Sequence, residues 1–247
     1  MDLARTEACG RSRRRRPLEP DPGNAGEGSD MGDGVAVVFA GGDPPPAKVA
    51  ARLSNDGFVI AADSGLDHAV ALGRPVDLVV GDLDSVDPDL LASARAAGVT
   101  VETHPRDKDQ TDLELALDAA LVRGARAITV VGGAGGRLDH LLGNLTVLAS
   151  PRFSGVRLDG WIGAAYVAVV RDDMVVEGRP GGLLTLVPLG GPAAGIRTDG
   201  LRYPLTDEAL EVGTTRGVSN EFVTSSARIR VRTGTLLAIC PDALEES

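Results

Sequence analysis

The chain has 247 residues, 43 % apolar but only 3 % aromatic, so one large domain or two modest ones must build their core mainly from Val, Leu, Ile and Ala. A formal charge of -10 argues against general nucleic-acid binding, which needs a basic face. Cys9 and Cys240 make no disulfide framework or cysteine-rich metal site, and no apolar run is long enough to cross a membrane, so a cytoplasmic protein is expected.

Residues 1–32 are expected to be a disordered N-terminal extension. They carry Arg13-Arg14-Arg15-Arg16, then Pro17, Pro20 and Pro22, with almost no aliphatic side chains to offset the entropy of ordering. No apolar stretch follows the basic run, so it is not a secretory signal. Met31 stands just before the first strand and is the expected true start of the chain. Mass spectrometry of the native protein would test this, since a peptide from residues 1–30 would reject it.

From Val35 onward, strand and helix patterns alternate. Val35–Phe39, Phe58–Ala62, Asp77–Val80 and Ala127–Val131 are continuous apolar runs, as in parallel strands buried on both faces. Between them, Leu113, Ala116, Leu117, Ala120 and Leu121 share one face of a helix over about 111–123. Thr111 with Glu114 fits a capping box, and Gly124 fits a stop. The alternation predicts a doubly wound, mainly parallel α/β domain over 33–152. After the Pro151–Gly155 junction, Trp161–Val170, Leu183–Pro188, Ile196–Tyr203 and Arg228–Ile239 read as strands between Gly, Pro and Asp turns. They predict a smaller antiparallel β domain over 155–247.

Ligands of an open α/β sheet bind beyond the carboxyl ends of its strands, and here those ends carry acids. Asp63 follows one strand, and Asp82 and Asp84 follow another. Alternate residues of an extended segment point the same way, so Asp82 and Asp84 are expected to face one site. Asp112 opens the capped helix. Several carboxylates at one place repel one another unless a cation sits among them, and Mg2+ suits an all-oxygen set beside phosphates. Taken singly, Asp82 or Asp84 could equally be a turn or capping residue.

The other informative loop runs from Gly132 to His140. Its glycines let backbone N–H groups approach phosphate, Arg137 offers a forked contact, and a helix starting near Asp139 points its positive end at the same place. His140 suits orienting a neighbour as well as touching substrate, and His68 in a helix suits a structural role. Neither a Walker A spacing nor a Rossmann fingerprint is present, which disfavours the usual NTPase and dehydrogenase classes.

Together the motifs resemble the thiamine pyrophosphokinase family. They are Ala61-Ala-Asp-Ser-Gly65, Val80-Gly-Asp-Leu-Asp-Ser-Val86, Lys108-Asp-Gln-Thr-Asp112, Gly132-Gly-Ala-Gly-Gly-Arg-Leu-Asp-His140 with Asn144, and Gly217-Val-Ser-Asn-Glu-Phe222. The resemblance spans roughly residues 35–240. It implies an α/β domain followed by a β-sandwich, and a homodimer with active sites between subunits. The implied reaction is ATP plus thiamine giving thiamine diphosphate and AMP. By motif, Asp63, Asp82, Asp84 and Asp112 would hold Mg2+ and the polyphosphate. Gln110, Thr111, Arg137 and Asp139 would support phosphate and substrate, and Ser219 and Asn220 would receive the pyrimidine end of thiamine. Asp82, Asp84, Asp112 and Arg137 are the expected catalytic set, with Asp112 taking or orienting the alcohol proton. A pyrophosphokinase for another alcohol, such as a hydroxymethylpterin, and a non-catalytic thiamine or nucleotide sensor remain open at this point.

Overall fold

The computed structural model describes residues 34–135 and 137–245; the expected N-terminal extension lies outside the described residues. The first half contains β1 (Val35–Phe39), a 3-10 turn (Ala47–Arg52), β2 (Phe58–Ala62), α1 (Gly65–Ala71), β3 (Leu78–Gly81), α2 (Pro88–Ala96), β4 (Thr100–Thr103), α3 (Asp112–Val122), β5 (Ala127–Val131) and α4 (Leu138–Leu148). The second half contains β6 (Arg157–Ile162), β7 (Ala165–Val170), β8 (Asp173–Glu177), β9 (Leu183–Pro188), β10 (Ala193–Asp199), β11 (Thr206–Leu210), β12 (Asn220–Glu221), β13 (Ser226–Arg230) and β14 (Leu236–Cys240). No helix among the described residues is long and apolar enough to cross a membrane.

Local chemistry sets the helix ends. Asp87 caps α2, its Oδ1 accepting from the N–H groups of Asp89 at 2.8 Å and Leu90 at 3.2 Å, with Pro88 fixing the first turn. Thr111 caps α3 by accepting from the Glu114 N–H at 3.2 Å. The strands form because their side chains are buried on both faces. Ala36, Val38, Ile60, Val80 and Val130 pack on one side with Leu113, Ala116, Leu117 and Ala120 of α3. Val37, Phe39 and Val59 pack on the other side with Val49 and Ala69, next to Ala61, Val79, Leu66 and Leu91. Helices thus cover both faces, which is the doubly wound arrangement.

The large sheet has the order β12-β9-β14-β7-β6-β5-β1-β2-β3-β4. The strands from β6 to β4 are all parallel. The chain steps outward from β1 to β4, then crosses back to start β5 on the far side of β1. That reversal opens a crevice at the carboxyl edge between β1 and β5, flanked by the ends of β2 and β3.

The sheet continues without a break past residue 155: β6 pairs parallel with β5, and β7, β14, β9 and β12 follow antiparallel. A second sheet, β11-β10-β13-β8, covers this extension. Leu184, Leu186, Leu236 and Ala238 pack against Val176, Ile196, Ile229 and Val231 to make a sandwich core. Two strand expectations are corrected here. The run over 161–170 is split between β6 and β7, and the run over 228–239 is split between β13 and β14, which lie in different sheets. Alternation of apolar residues records which face is buried, not where a strand turns or changes sheet.

Candidate functional site

The acids converge at the carboxyl edge. The Asp63 N–H donates to the Val80 carbonyl at 2.9 Å, tying the end of β2 to β3. Asp63 itself lies at φ 49, a conformation Asp tolerates better than most residues. Asp82 and Asp84 meet the same site, but not by strand alternation. Leu83 sits at φ 64, the chain turns there, and the Asp84 N–H donates to Asp82 Oδ1 at 3.2 Å. Asp63, Asp82 and Asp84 each offer a carboxylate oxygen within 4.8 Å of the others. Gly81, at φ 151, is required: an added Cβ would stand 3.1 Å from Asp112 Oδ1 and 3.2 Å from the Asp63 Cβ. That measurement also shows that Asp112 adjoins the same cluster.

Asp63 Oδ1 is buried and has no hydrogen-bond partner among the described residues. Burial, followed by the charges of Asp112, Asp82 and Asp84, pushes the Asp63 carboxyl above its ordinary value, while the Ser64 backbone pulls it down. Three hard oxygen donors around an orphaned buried oxygen fit a divalent cation such as Mg2+.

Lys108 opens the Lys108–Asp112 motif, and the sequence alone assigns it no role. Its Nζ donates to Asp112 Oδ1 at 2.7 Å and stands 3.9 Å from Asp82 Oδ2. A Lys four residues before an acid at a helix start was the available signal. Arg106 reaches Asp84 at 2.9 Å. Gln110 is turned away from the acids, its Nε2 donating to Asp118 Oδ2 at 2.9 Å, and Thr111 serves as the α3 cap.

The Gly-rich loop is locked to the loop after β1. The Gly133 N–H donates to the Gly41 carbonyl and the Asp43 N–H to the Ala134 carbonyl, both at 2.8 Å. A Cβ on Gly42, at φ 109, would stand 2.1 Å from the Ala134 oxygen, so no other residue fits there. The Gly132 N–H is likewise engaged, by the Trp161 carbonyl at 3.0 Å. The first two glycines therefore close the fold at the crevice instead of cradling phosphate with their N–H groups. Arg137 and Asp139 lie exposed at the start of α4 and form a two-pronged pair, with Arg137 Nε donating to Asp139 Oδ1 at 3.2 Å. That hydrogen bond holds the Asp139 carboxyl down to about 2 and raises Arg137. Both are bathed in solvent, so the pair is easily exchanged for another anion. His140 is exposed, whereas His68 is buried with Nδ1 2.9 Å from the Ala40 carbonyl oxygen, a structural position.

Ser219 and Asn220 lie at the opposite end of the sheet. The Asn220 amide is fully engaged at home: Oδ1 accepts from the Tyr203 N–H at 3.0 Å and the Glu221 N–H at 2.9 Å, and Nδ2 donates to the Tyr203 carbonyl at 2.8 Å. Ser219, at φ 59, is exposed, with its N–H on Thr185 Oγ1 at 3.0 Å. Tyr203, which sequence reasoning missed, is therefore gripped through its backbone by Asn220 yet is 59 % exposed as a residue, with Arg202 over its ring at 5.6 Å. Phe222 is buried. Eight strand steps separate β12 from β3, roughly 38 Å at the usual strand spacing. A groove of about 1350 Å3 lined by Arg52, Arg157, Asp159, Tyr166 and Phe222 contains none of the acids at the carboxyl edge, nor Arg137, Ser219 or Asn220.

The fold and site define a doubly wound α/β protein with a fused β-sandwich that gathers acids at one sheet edge. Residues 49–158 match the family model "Thiamin pyrophosphokinase, catalytic domain", and residues 175–236 match "Thiamin pyrophosphokinase, vitamin B1 binding domain". The chain belongs to the thiamin pyrophosphokinase family. It is similar to the thiamine pyrophosphokinase of Bacillus subtilis, 27 % identical over 170 residues that cover 64 % of this chain and 75 % of that protein. A rice relative, thiamine pyrophosphokinase 1, is 29 % identical over 168 residues, 62 % of this chain and 61 % of its own length. The solved B. subtilis thiamine pyrophosphokinase structure superposes with a TM-score of 0.72 at 25 % identity, over 83 % of this chain and 97 % of that one. The Candida albicans thiamin pyrophosphokinase has a TM-score of 0.71 at 12 % identity, over 83 % of this chain and 89 % of that one, a likeness of fold.

Proposed function

We propose that this chain transfers a pyrophosphoryl group from ATP to the hydroxyl of thiamine, giving thiamine diphosphate and AMP. The observation that carries the reading is the convergence of Asp63, Asp82, Asp84 and Asp112 at the carboxyl edge of a sheet whose sandwich extension matches a vitamin B1 binding domain. ATP adds negative charge to a place already crowded with it, so a divalent cation must join the complex. Asp63, Asp82 and Asp84 would hold it, and the ion, Mg2+ by this donor set, would supply charge neutralisation of the polyphosphate.

The chain's own residues do the rest. The substrate's alcohol is the nucleophile, so no Ser–His or Cys–His pair is needed. The alcohol oxygen bonds to the β-phosphorus, the bond from that phosphorus to the α-phosphate bridging oxygen breaks, and AMP leaves. The alcohol proton passes to Asp112, or Asp112 orients it. Arg137 exchanges Asp139 for a phosphate oxygen and offsets its charge. Catalysis rests on alignment and electrostatics.

Thiamine is received at the Ser219–Tyr203 face, where the Tyr203 ring can stack on it. That face is too far from the acids of the same chain for a small molecule to bridge them, so each site combines the acid edge of one subunit with the sandwich of the other in a homodimer. Exposed Leu138 and Leu142 border the first half, and exposed Val212, Val218 and Val223 occur in the segments around the second, apolar surface suited to such a contact. We take the reaction to run in the cytoplasm, where its ATP is. Incubation with ATP, Mg2+ and either thiamine or a hydroxymethylpterin tests the reading. AMP and thiamine diphosphate formed together only with thiamine support it. AMP formed only with the pterin, or thiamine bound without AMP, overturns it.

A further inference from the structure

The loop between β4 and α3 brings two cations to the acids, and they are placed differently. Arg106 meets Asp84 from the surface with its side chain 81 % exposed. Lys108 is only 15 % exposed and stands between two carboxylates, 2.7 Å from Asp112 Oδ1 and 3.9 Å from Asp82 Oδ2. Asp82 belongs to the three-carboxylate group whose oxygens lie within 4.8 Å of one another; Asp112 does not. Lys108 thus touches the ligand group at one member and draws the fourth acid aside.

We infer that Lys108 is a built-in counter-ion: it neutralises part of the acid edge before any ion binds, and so sets how tightly that edge takes a divalent cation. An ammonium is a compact point charge on a flexible stem, suited to sharing itself between two carboxylates. Screening by water is weaker for so shielded a group than for the exposed Arg106. The same charge that pairs with Asp112 and Asp82 opposes an incoming cation. Lys108 is a positioning residue acting through Asp82 and Asp112. The inference rests on the metal-holding role proposed for Asp63, Asp82 and Asp84, and asks nothing of thiamine or ATP.

The test uses the full chain with metal alone. Mn2+ affinity is measured by electron paramagnetic resonance or calorimetry, and the thermal midpoint is read in EDTA and across a Mg2+ titration. Lys108→Met should bind Mn2+ about ten-fold tighter than wild type, because a like charge beside the ligands is gone. Its midpoint should fall in EDTA and recover as Mg2+ is added. Lys108→Gln removes the charge but keeps a donor for Asp112, and serves should Lys108→Met not fold. Lys108→Arg should behave as wild type, and Arg106→Gln should change affinity by no more than about two-fold, being exposed. Unchanged or weaker Mn2+ binding in the uncharged variants, or a midpoint deficit that Mg2+ does not close, overturns the inference while leaving the metal site standing. Wild type that takes up no Mn2+ sinks both.

Discussion

The two ends of the large sheet solve opposite problems. At the acid edge, one Asp63 oxygen is buried without a partner among the described residues, and like charges crowd together. At the Ser219 end, the Asn220 amide satisfies three backbone groups and holds Tyr203 in place. The acid edge is left with like charges only partly offset, whereas the Ser219 end has its side-chain hydrogen bonds in place. Incompletely compensated charge marks where chemistry is proposed; satisfied hydrogen bonds mark where a surface is preorganised. Substitutions at the first end should therefore cost activity and spare the fold. Those at the second should cost substrate affinity and stability.

The largest effect is expected from Asp82→Asn, which should lower kcat about 10^3-fold or more with the thermal midpoint nearly unchanged. Retention of wild-type turnover at saturating Mg2+ would remove Asp82 from the metal site. Next comes a mixing experiment that asks whether the two ends meet across subunits. Asp82→Asn and Tyr203→Ala homodimers, each weak alone at low thiamine, should recover about a quarter of wild-type activity once their subunits are exchanged. In each mixed dimer, one site then joins an intact acid edge to an intact Tyr203 face. No recovery after proven exchange would place each site within one chain. Tyr203→Ala alone should raise the thiamine KM about ten-fold with a smaller change in kcat, and Tyr203→Phe should behave nearly as wild type. An equal loss for Phe would mean that the hydroxyl, not the ring, is what matters.

The same contrast explains what the sequence disclosed. Four parallel strands, β1, β2, β3 and β5, were legible as short apolar runs, whereas the more exposed β4 was not and the parallel pairing of β6 was not expected, and α3 was legible from its apolar stripe and Thr111 cap. The acids were legible because strand ends place them at one edge. The turn at Leu83 was not, since positive φ in a Leu has no compositional signal. Nor was the engagement of Gly132 and Gly133 with neighbouring backbone, because a glycine for close approach to phosphate and one for close approach to another loop look alike. Lys108 and Tyr203 were missed for a shared reason. The contacts that single them out come from residues distant in sequence but close in space: Asp82 for Lys108, and Asn220 for Tyr203. The break at 151–155 follows a real change in strand pattern, yet backbone hydrogen bonding carries one sheet across it.

Asn220→Ala should show the preorganised end failing structurally. It leaves the Tyr203 N–H and carbonyl and the Glu221 N–H without their side-chain partner, for a loss of about 2–4 kcal/mol in denaturant unfolding. A loss below about 0.5 kcal/mol would mean that water replaces the amide at no cost.

The smallest expected change is of opposite sign, at the acid edge. Burial and neighbouring carboxylates raise the Asp63 carboxyl in the folded chain, so the folded state holds that proton more tightly than the unfolded one. Below the unfolded value of about 3.9 both states are protonated and Asp63 is neutral towards stability. As pH rises through that value towards the folded one, ionisation favours the unfolded chain, and a penalty builds up that persists at neutral pH. Asn cannot ionise and tolerates a left-handed backbone as readily as Asp. Asp63→Asn should therefore raise the thermal midpoint in EDTA at pH 7 by about one or two degrees, with the gain vanishing below about pH 4. With Mg2+ present the order should reverse, because only the wild type gains from binding the ion. A midpoint in EDTA that is unchanged or lower in Asp63→Asn would mean that the buried carboxylate is already compensated, and the acid edge would no longer differ from the far end in the way argued.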